Sequence, residues 1–113
     1  MVSKYVVCRT QVEGFHAWSD APEKYSFLRH RHHHIFHIEA RFPVVHNNRD
    51  IEFIVKANEI KQYLEAKYSS AGFAPCEFGS MSCEDIAEEI INVFHASACE
   101  VNEDGYGGAV VAR

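Results

Sequence analysis

Histidine is the residue type whose number and spacing point most directly to chemistry in this chain. Eight occur among 113 residues, and five of them (His30, His32, His33, His34 and His37) fall in one short stretch. Counted with the period of two of a β-strand, His30, His32 and His34 share a face with Phe36, Ile38, Ala40 and Phe42. Arg31, His33, Ile35, His37, Glu39 and Arg41 share the other. The first face starts as imidazole and continues as apolar core, so its histidines belong where the core side of a sheet opens to a cleft. Neutral imidazoles are good ligands for zinc and similar metals, and two at i and i+2 on a strand point the same way and can share one ion. His16 is the natural third ligand. It ends an earlier strand on the Val6–Val12 face, and an antiparallel pairing brings it to the start of the histidine strand. The expected metal set is therefore His16, His30 and His32. His34 is either a supporting group or an alternative ligand. His33 and His37 belong to the opposite surface.

These side chains need a scaffold. The first strand reads from about residue 4 to 16 and the second from about 28 to 42, stopping before Pro43. His46-Asn47-Asn48-Arg49-Asp50 is turn chemistry, and Ile51 to Lys56 reads as a short returning strand. A helix follows in which Ile60, Tyr63, Leu64 and Lys67 share a face, with Asn58 as candidate cap. The stretch from Ser69 to Met81 reads as a loop. A second helix carries Ile86, Ile90, Val93 and Phe94 on one face, opened by a capping box of Ser82 and Asp85. Ala98 to Asn102 and Ala109 to Ala112 close the chain as a hairpin around Asp104-Gly105 and Gly107-Gly108. The predicted fold is one α+β domain over residues 1–113, with two helices on one face of an antiparallel sheet in the order ββααββ.

Composition narrows the function classes. The formal net charge is −5, which argues against a general nucleic-acid surface. No apolar run approaches the ~18 residues a membrane span requires, and the first residues lack the apolar centre of a signal peptide, so the expected location is cytoplasmic. The four cysteines, Cys8, Cys76, Cys83 and Cys99, form no Cys-x-x-Cys pair and are expected as free buried thiols. Cys83 stands out, because it falls near a helix start, where a thiol pKa can drop.

The ordered set of motifs resembles the 6-pyruvoyltetrahydropterin and 6-carboxytetrahydropterin synthase family, which has the T-fold. Val12-Glu13-Gly14-Phe15-His16 is similar to its aromatic-x-x-x-His strand end, and His30-Arg31-His32 to its His-x-His pair. Phe53 to Lys61 is similar to its entry into the first helix, and Ser82 to Ala87 to the start of its second. Glu100 to Asp104 is similar to the strand that carries its pterin-anchoring glutamate. The resemblance implies zinc on His16, His30 and His32, and Glu103 as the anchor of a pterin or purine-like ligand. It also implies a homo-oligomer, a trimer or hexamer, with sites at subunit interfaces. The activity it implies is that of a carbon–oxygen lyase acting on a dihydroneopterin triphosphate-like substrate.

The chain departs from the family at the proton-transfer groups. Ser26 stands where the family has its catalytic cysteine, and Ala66 to Cys76 contains no counterpart of its Asp-His pair. Ser26, His34 and His95 are the candidates left for proton transfer. A serine hydroxyl is a far weaker base than a thiolate. The alternative expectation is therefore a catalytically altered T-fold oligomer that binds its ligand without the classical reaction. Arg31, replacing the family's glycine, is expected to add a cation beside the ligands.

Overall fold

A computed structural model describes residues 1–72 and 75–113. Two long strands form its centre. β1 (Lys4–His16) and β2 (His32–Val44) pair antiparallel from Lys4 opposite Val44 to His16 opposite His32. Beyond β2 lie β4 (Ala98–Glu103) and β5 (Gly107–Ala112), each antiparallel to its neighbour. On the other side of β1 lies β3 (Cys76–Gly79), which runs parallel to it. The strand order is β3-β1-β2-β4-β5.

Alternation along the strands sends one set of side chains into a continuous core. Cys8 and Val12 of β1, Phe36, Ile38, Ala40 and Phe42 of β2, and Cys99 and Val101 of β4 all face it. Two helices cover that face. α1 (Phe53–Tyr68) packs on β1 through Ala57, Ile60 and Leu64, and α2 (Cys83–Phe94) packs on β4 and β5 through Ile86, Ala87, Ile90 and Ile91. The opposite face carries charged cross-strand pairs such as Arg9 with Glu39 and His33 with Glu13. The architecture is α+β with both helices on one face of the sheet, as expected, and is compatible with a T-fold arrangement. All four cysteines are free and buried. Among the described residues no helix is long and apolar enough to cross a membrane.

Four boundaries differ from the sequence reading. β2 begins at His32 rather than near Leu28, because Glu23–Leu28 forms a short 3₁₀ helix. β2 also continues through Pro43, which is tolerated because its pairing with β4 ends at Arg41 and leaves that side open. Ile51 to Lys56 is not a strand. The Glu52 carboxylate accepts from the backbone N–H groups of Ile54 and Val55 at 2.9 and 3.1 Å and starts α1 there, so Asn58 lies inside the helix rather than capping it. Finally, the loop between the helices contains β3, so the order is ββαβαββ and the sheet is mixed. α2 begins with the expected capping box between Ser82 and Asp85.

Candidate metal centre

The strand register decides which histidines meet. His16 lies directly opposite His32, and His34 lies opposite Gly14, one step further along the same face. One ring nitrogen from each of His16, His32 and His34 lies within 4.8 Å of the others, a group that could hold a metal ion. The expected set is therefore corrected by one strand step. His34, named as the alternative ligand, takes the place expected for His30. His30 precedes the first residue of β2 and is exposed, with no partner across the hairpin.

Each of the three rings is oriented through Nδ1. His16 Nδ1 donates to the Met81 carbonyl at 2.8 Å, and His32 Nδ1 donates to the His30 carbonyl at 2.8 Å. His34 Nδ1 donates to the Asp104 carboxylate at 2.7 Å. A carbonyl or carboxylate can only accept, so the proton of each neutral ring sits on Nδ1 and the lone pair on Nε2. This is how proteins commonly prepare imidazole for a metal. His34 Nε2 is buried and has no hydrogen-bond partner among the described residues. It lies 3.3 Å from Glu103 Oε1, close but without the alignment of a hydrogen bond. An orphaned buried nitrogen beside two more imidazoles is a site that fits a cation.

Glu103 closes the group from β4. Its Oε2 lies 3.1 Å from His16 Nε2, and the Cys83 thiol donates to the same oxygen at 3.5 Å. The Glu103 hydrogen bond lifts the His16 pKa above its ordinary value, against the opposing effect of burial, and the Met81 carbonyl adds to the rise. The His16 hydrogen bond in turn lowers the pKa of Glu103, again against burial. Each of the two thus favours the charged form of the other, and a metal ion at His16 Nε2 would compete with a proton there. Asp104 is held down chiefly by the Ile35 backbone N–H, which donates to Oδ1 at 2.7 Å, and then by His34.

A cavity of about 520 Å³ opens over this group. Its lining includes His16, His32, Glu103, Trp18, Cys83 and Gly107. Burial, and then the charge of Glu103, push the Cys83 thiol up to about 12. This reverses the expectation that the helix start lowers it, and Cys83 stands in the cavity as a neutral thiol.

The structure does not bring Ser26 or His95 to the cavity lining. Ser26 lies in the 3₁₀ helix, where its carbonyl accepts from the Arg29 backbone N–H. His95 caps the C-terminus of α2, whereas Cys83 at the other end of that helix faces the site; twelve residues separate the two ends by about 18 Å. Arg31 is not beside the ligands either. It stacks on the Phe15 ring at 3.5 Å and pairs with Glu77. The Ala66–Cys76 stretch, expected to lack an Asp-His pair, includes residues 73 and 74, which lie outside the described residues.

Sequence reasoning missed Asp104, Cys83 and the Met81 carbonyl as parts of the site. Asp104 had one signal, an aspartate in a glycine turn immediately after the expected anchor. The other two depend on where α2 begins relative to His16. No protein-family model and no curated protein matches this chain, so the functional reading rests on these residues.

Proposed function

We propose that this is a zinc-binding protein of the pterin synthase type, with the ion held by His16, His32 and His34. Glu103 anchors a pterin or purine-like ligand in the adjoining cavity. The observation that carries the reading is the three-imidazole group with every Nδ1 engaged, ending in the orphaned His34 Nε2 beside Glu103. Three neutral imidazoles suit zinc and leave a position for water or ligand. Bound zinc would supply Lewis-acid polarisation of a ligand oxygen. Glu103, ionised at neutral pH, can accept paired hydrogen bonds from the N–H edge of a pterin or guanine ring.

Proton transfer is the weak part of this site. Ser26 is away from the cavity lining, and the thiol that does line it, Cys83, stays protonated at neutral pH. The reading is therefore a ligand-binding member of the synthase type that turns over dihydroneopterin triphosphate slowly or not at all. Assembly into a homo-oligomer by pairing of sheet edges belongs to the same proposal. β3 and β5 are the two edge strands of the sheet, where such pairing would take place.

Metal analysis tests it. Wild-type protein and His30→Ala should carry one zinc per chain, and a His32→Ala, His34→Ala double variant should carry none. Retention of zinc by the double variant would overturn the metal assignment. Glu103→Ala should keep zinc and lose dihydroneopterin binding in calorimetry; unaltered binding would remove the anchor.

A further inference from the structure

Trp18 is the chain's single tryptophan. It sits two residues beyond His16, in the connection from β1 to β2, and lines the cavity over the metal group. It is 45% exposed, a large apolar surface for a side chain in so well-fixed a segment. Ala17 N–H donates to the Gly79 carbonyl at 2.9 Å, and Trp18 N–H donates to the Leu28 carbonyl at 2.8 Å. The Trp18 carbonyl accepts from Ala21 N–H at 3.1 Å, and the Ala21 carbonyl accepts from Arg29 Nε at 2.8 Å. The indole stacks on Tyr25 with ring centres 5.7 Å apart and planes 22° from parallel. One ring system thus braces the indole while much of its surface stays uncovered at the cavity.

Gly107 makes a second, independent point. It lies directly opposite Glu103 in the β4–β5 register, so any side chain there would share the Glu103 face. Its neighbour Gly108 is forced, since a Cβ would sit 1.9 Å from the Val101 carbonyl oxygen. Gly107 is not forced. A Cβ there meets nothing within 4 Å, and its φ is one that other residues adopt. The fold does not require glycine at 107. What its bareness provides is clearance beside Glu103, in the cavity that Trp18 also lines.

We infer that the cavity selects flat aromatic rings, with Trp18 as the stacking surface and Gly107 as the clearance that lets a ring edge reach Glu103. This rests on the pterin or purine-like ligand proposed above and adds what discriminates for it. Stacking on an aromatic side chain tolerates different heterocycles, because each has a π-face. The site should therefore accept both a pterin and a purine, with Glu103 reading their shared N–H edge.

Zinc-loaded wild type, Trp18→Leu, Trp18→Phe and Gly107→Val are titrated calorimetrically with dihydroneopterin and with guanosine, and zinc content and thermal melting are recorded on the same samples. Trp18→Leu should bind both probes about tenfold or more weakly, the scale of one lost stacking contact. Trp18→Phe should recover most of that loss, and Gly107→Val should abolish binding with zinc retained. The emission of the single tryptophan in wild type should change on binding, a readout that needs no variant to fold. Equal affinity of Trp18→Leu and wild type, or unchanged wild-type emission at saturation, would overturn the stacking role and leave the zinc and Glu103 assignments standing. Wild type that holds zinc but binds neither probe would overturn the ligand class and this inference together.

Discussion

Replacing Asp104 by Asn would test the ring-orientation argument at the atom that carries it. Asp104 uses its two oxygens separately, Oδ1 for the Ile35 N–H and Oδ2 for His34 Nδ1, both at 2.7 Å. It sits at φ 57°, a left-handed conformation that Asn adopts as readily as Asp. Asn therefore keeps the backbone and, through its one oxygen, the Ile35 bond. Its amide then faces His34 Nδ1 with a donor. His34 can accept that donor only by moving its own proton to Nε2, which removes the lone pair from the metal side. Loss of such an orienting partner lowers metal affinity about 10–100-fold, or about 1.4–2.8 kcal/mol. The assay is competition for zinc against a chelator of known affinity, with melting in the metal-free state as control. Metal-free stability should stay close to wild type, because the Ile35 bond survives. Unchanged zinc affinity would refute the assignment of Nε2 as the ligating atom, and a collapse of metal-free stability would show that Asp104 serves the fold instead.

Glu89 gives a test of stability away from the site. Its carboxylate accepts from Tyr63 at 2.8 Å, Tyr68 at 2.5 Å and Lys67 at 3.0 Å, tying α1 to α2. Glu89→Ala should cost about 2 kcal/mol, an 8 °C fall in melting temperature at about 4 °C per kcal/mol. The same clip predicts a pH window. Burial alone would raise the Glu89 pKa, but the bonds from Tyr68, Lys67 and Tyr63 outweigh it and lower the value from 4.5. Its contribution is complete above 4.5 and fades as pH falls through the lowered value. Tyr68 is raised from 10 to about 12, by burial and then by Glu89, so its contribution is complete below 10 and fades toward 12. The stability gap between wild type and Glu89→Ala should be flat near neutrality and narrow on both sides; a gap independent of pH would discount the clip. Gly14→Ala would place a Cβ 2.8 Å from the Phe78 ring and 3.1 Å from Phe36. It should destabilise by about 1–3 kcal/mol in denaturant unfolding, and a neutral result would mean that these rings move aside freely.

Much of the scaffold was legible because it is written in periodicity. The alternation of β1 and β2, the Ser82–Asp85 box and the terminal hairpin all appear where the pattern puts them. The misses turn on a cap, an edge pairing and a turn length, none of which hydrophobic periodicity records. Phe53, Ile54 and Val55 look like strand, yet they are exposed in the first turn of α1, where the Glu52 cap outweighs β-propensity. β3 is too short to show a period and exists only because β1 has an edge to pair with. The choice between His30 and His34 could not come from the face, since both lie on it. It came from how many residues the Glu23–Leu28 turn consumes before β2 begins, a matter of register rather than residue type.

The acceptor for His16 is the carbonyl of Met81, the residue immediately before the Ser82 cap of α2. The tautomer of one imidazole is thereby tied to a helix boundary, the part of a helix that opens most often. Met81 is also held by its own N–H, which donates to the Phe78 carbonyl at 3.1 Å. Fraying of the first turn of α2 would therefore loosen one of the two ties on the carbonyl that orients His16. The capping box therefore acts on the site in time as well as in energy. A cap of about 1 kcal/mol makes the open state about fivefold rarer. The rate at which a bound ion leaves would then follow the opening of the helix end that also carries Cys83 to Glu103.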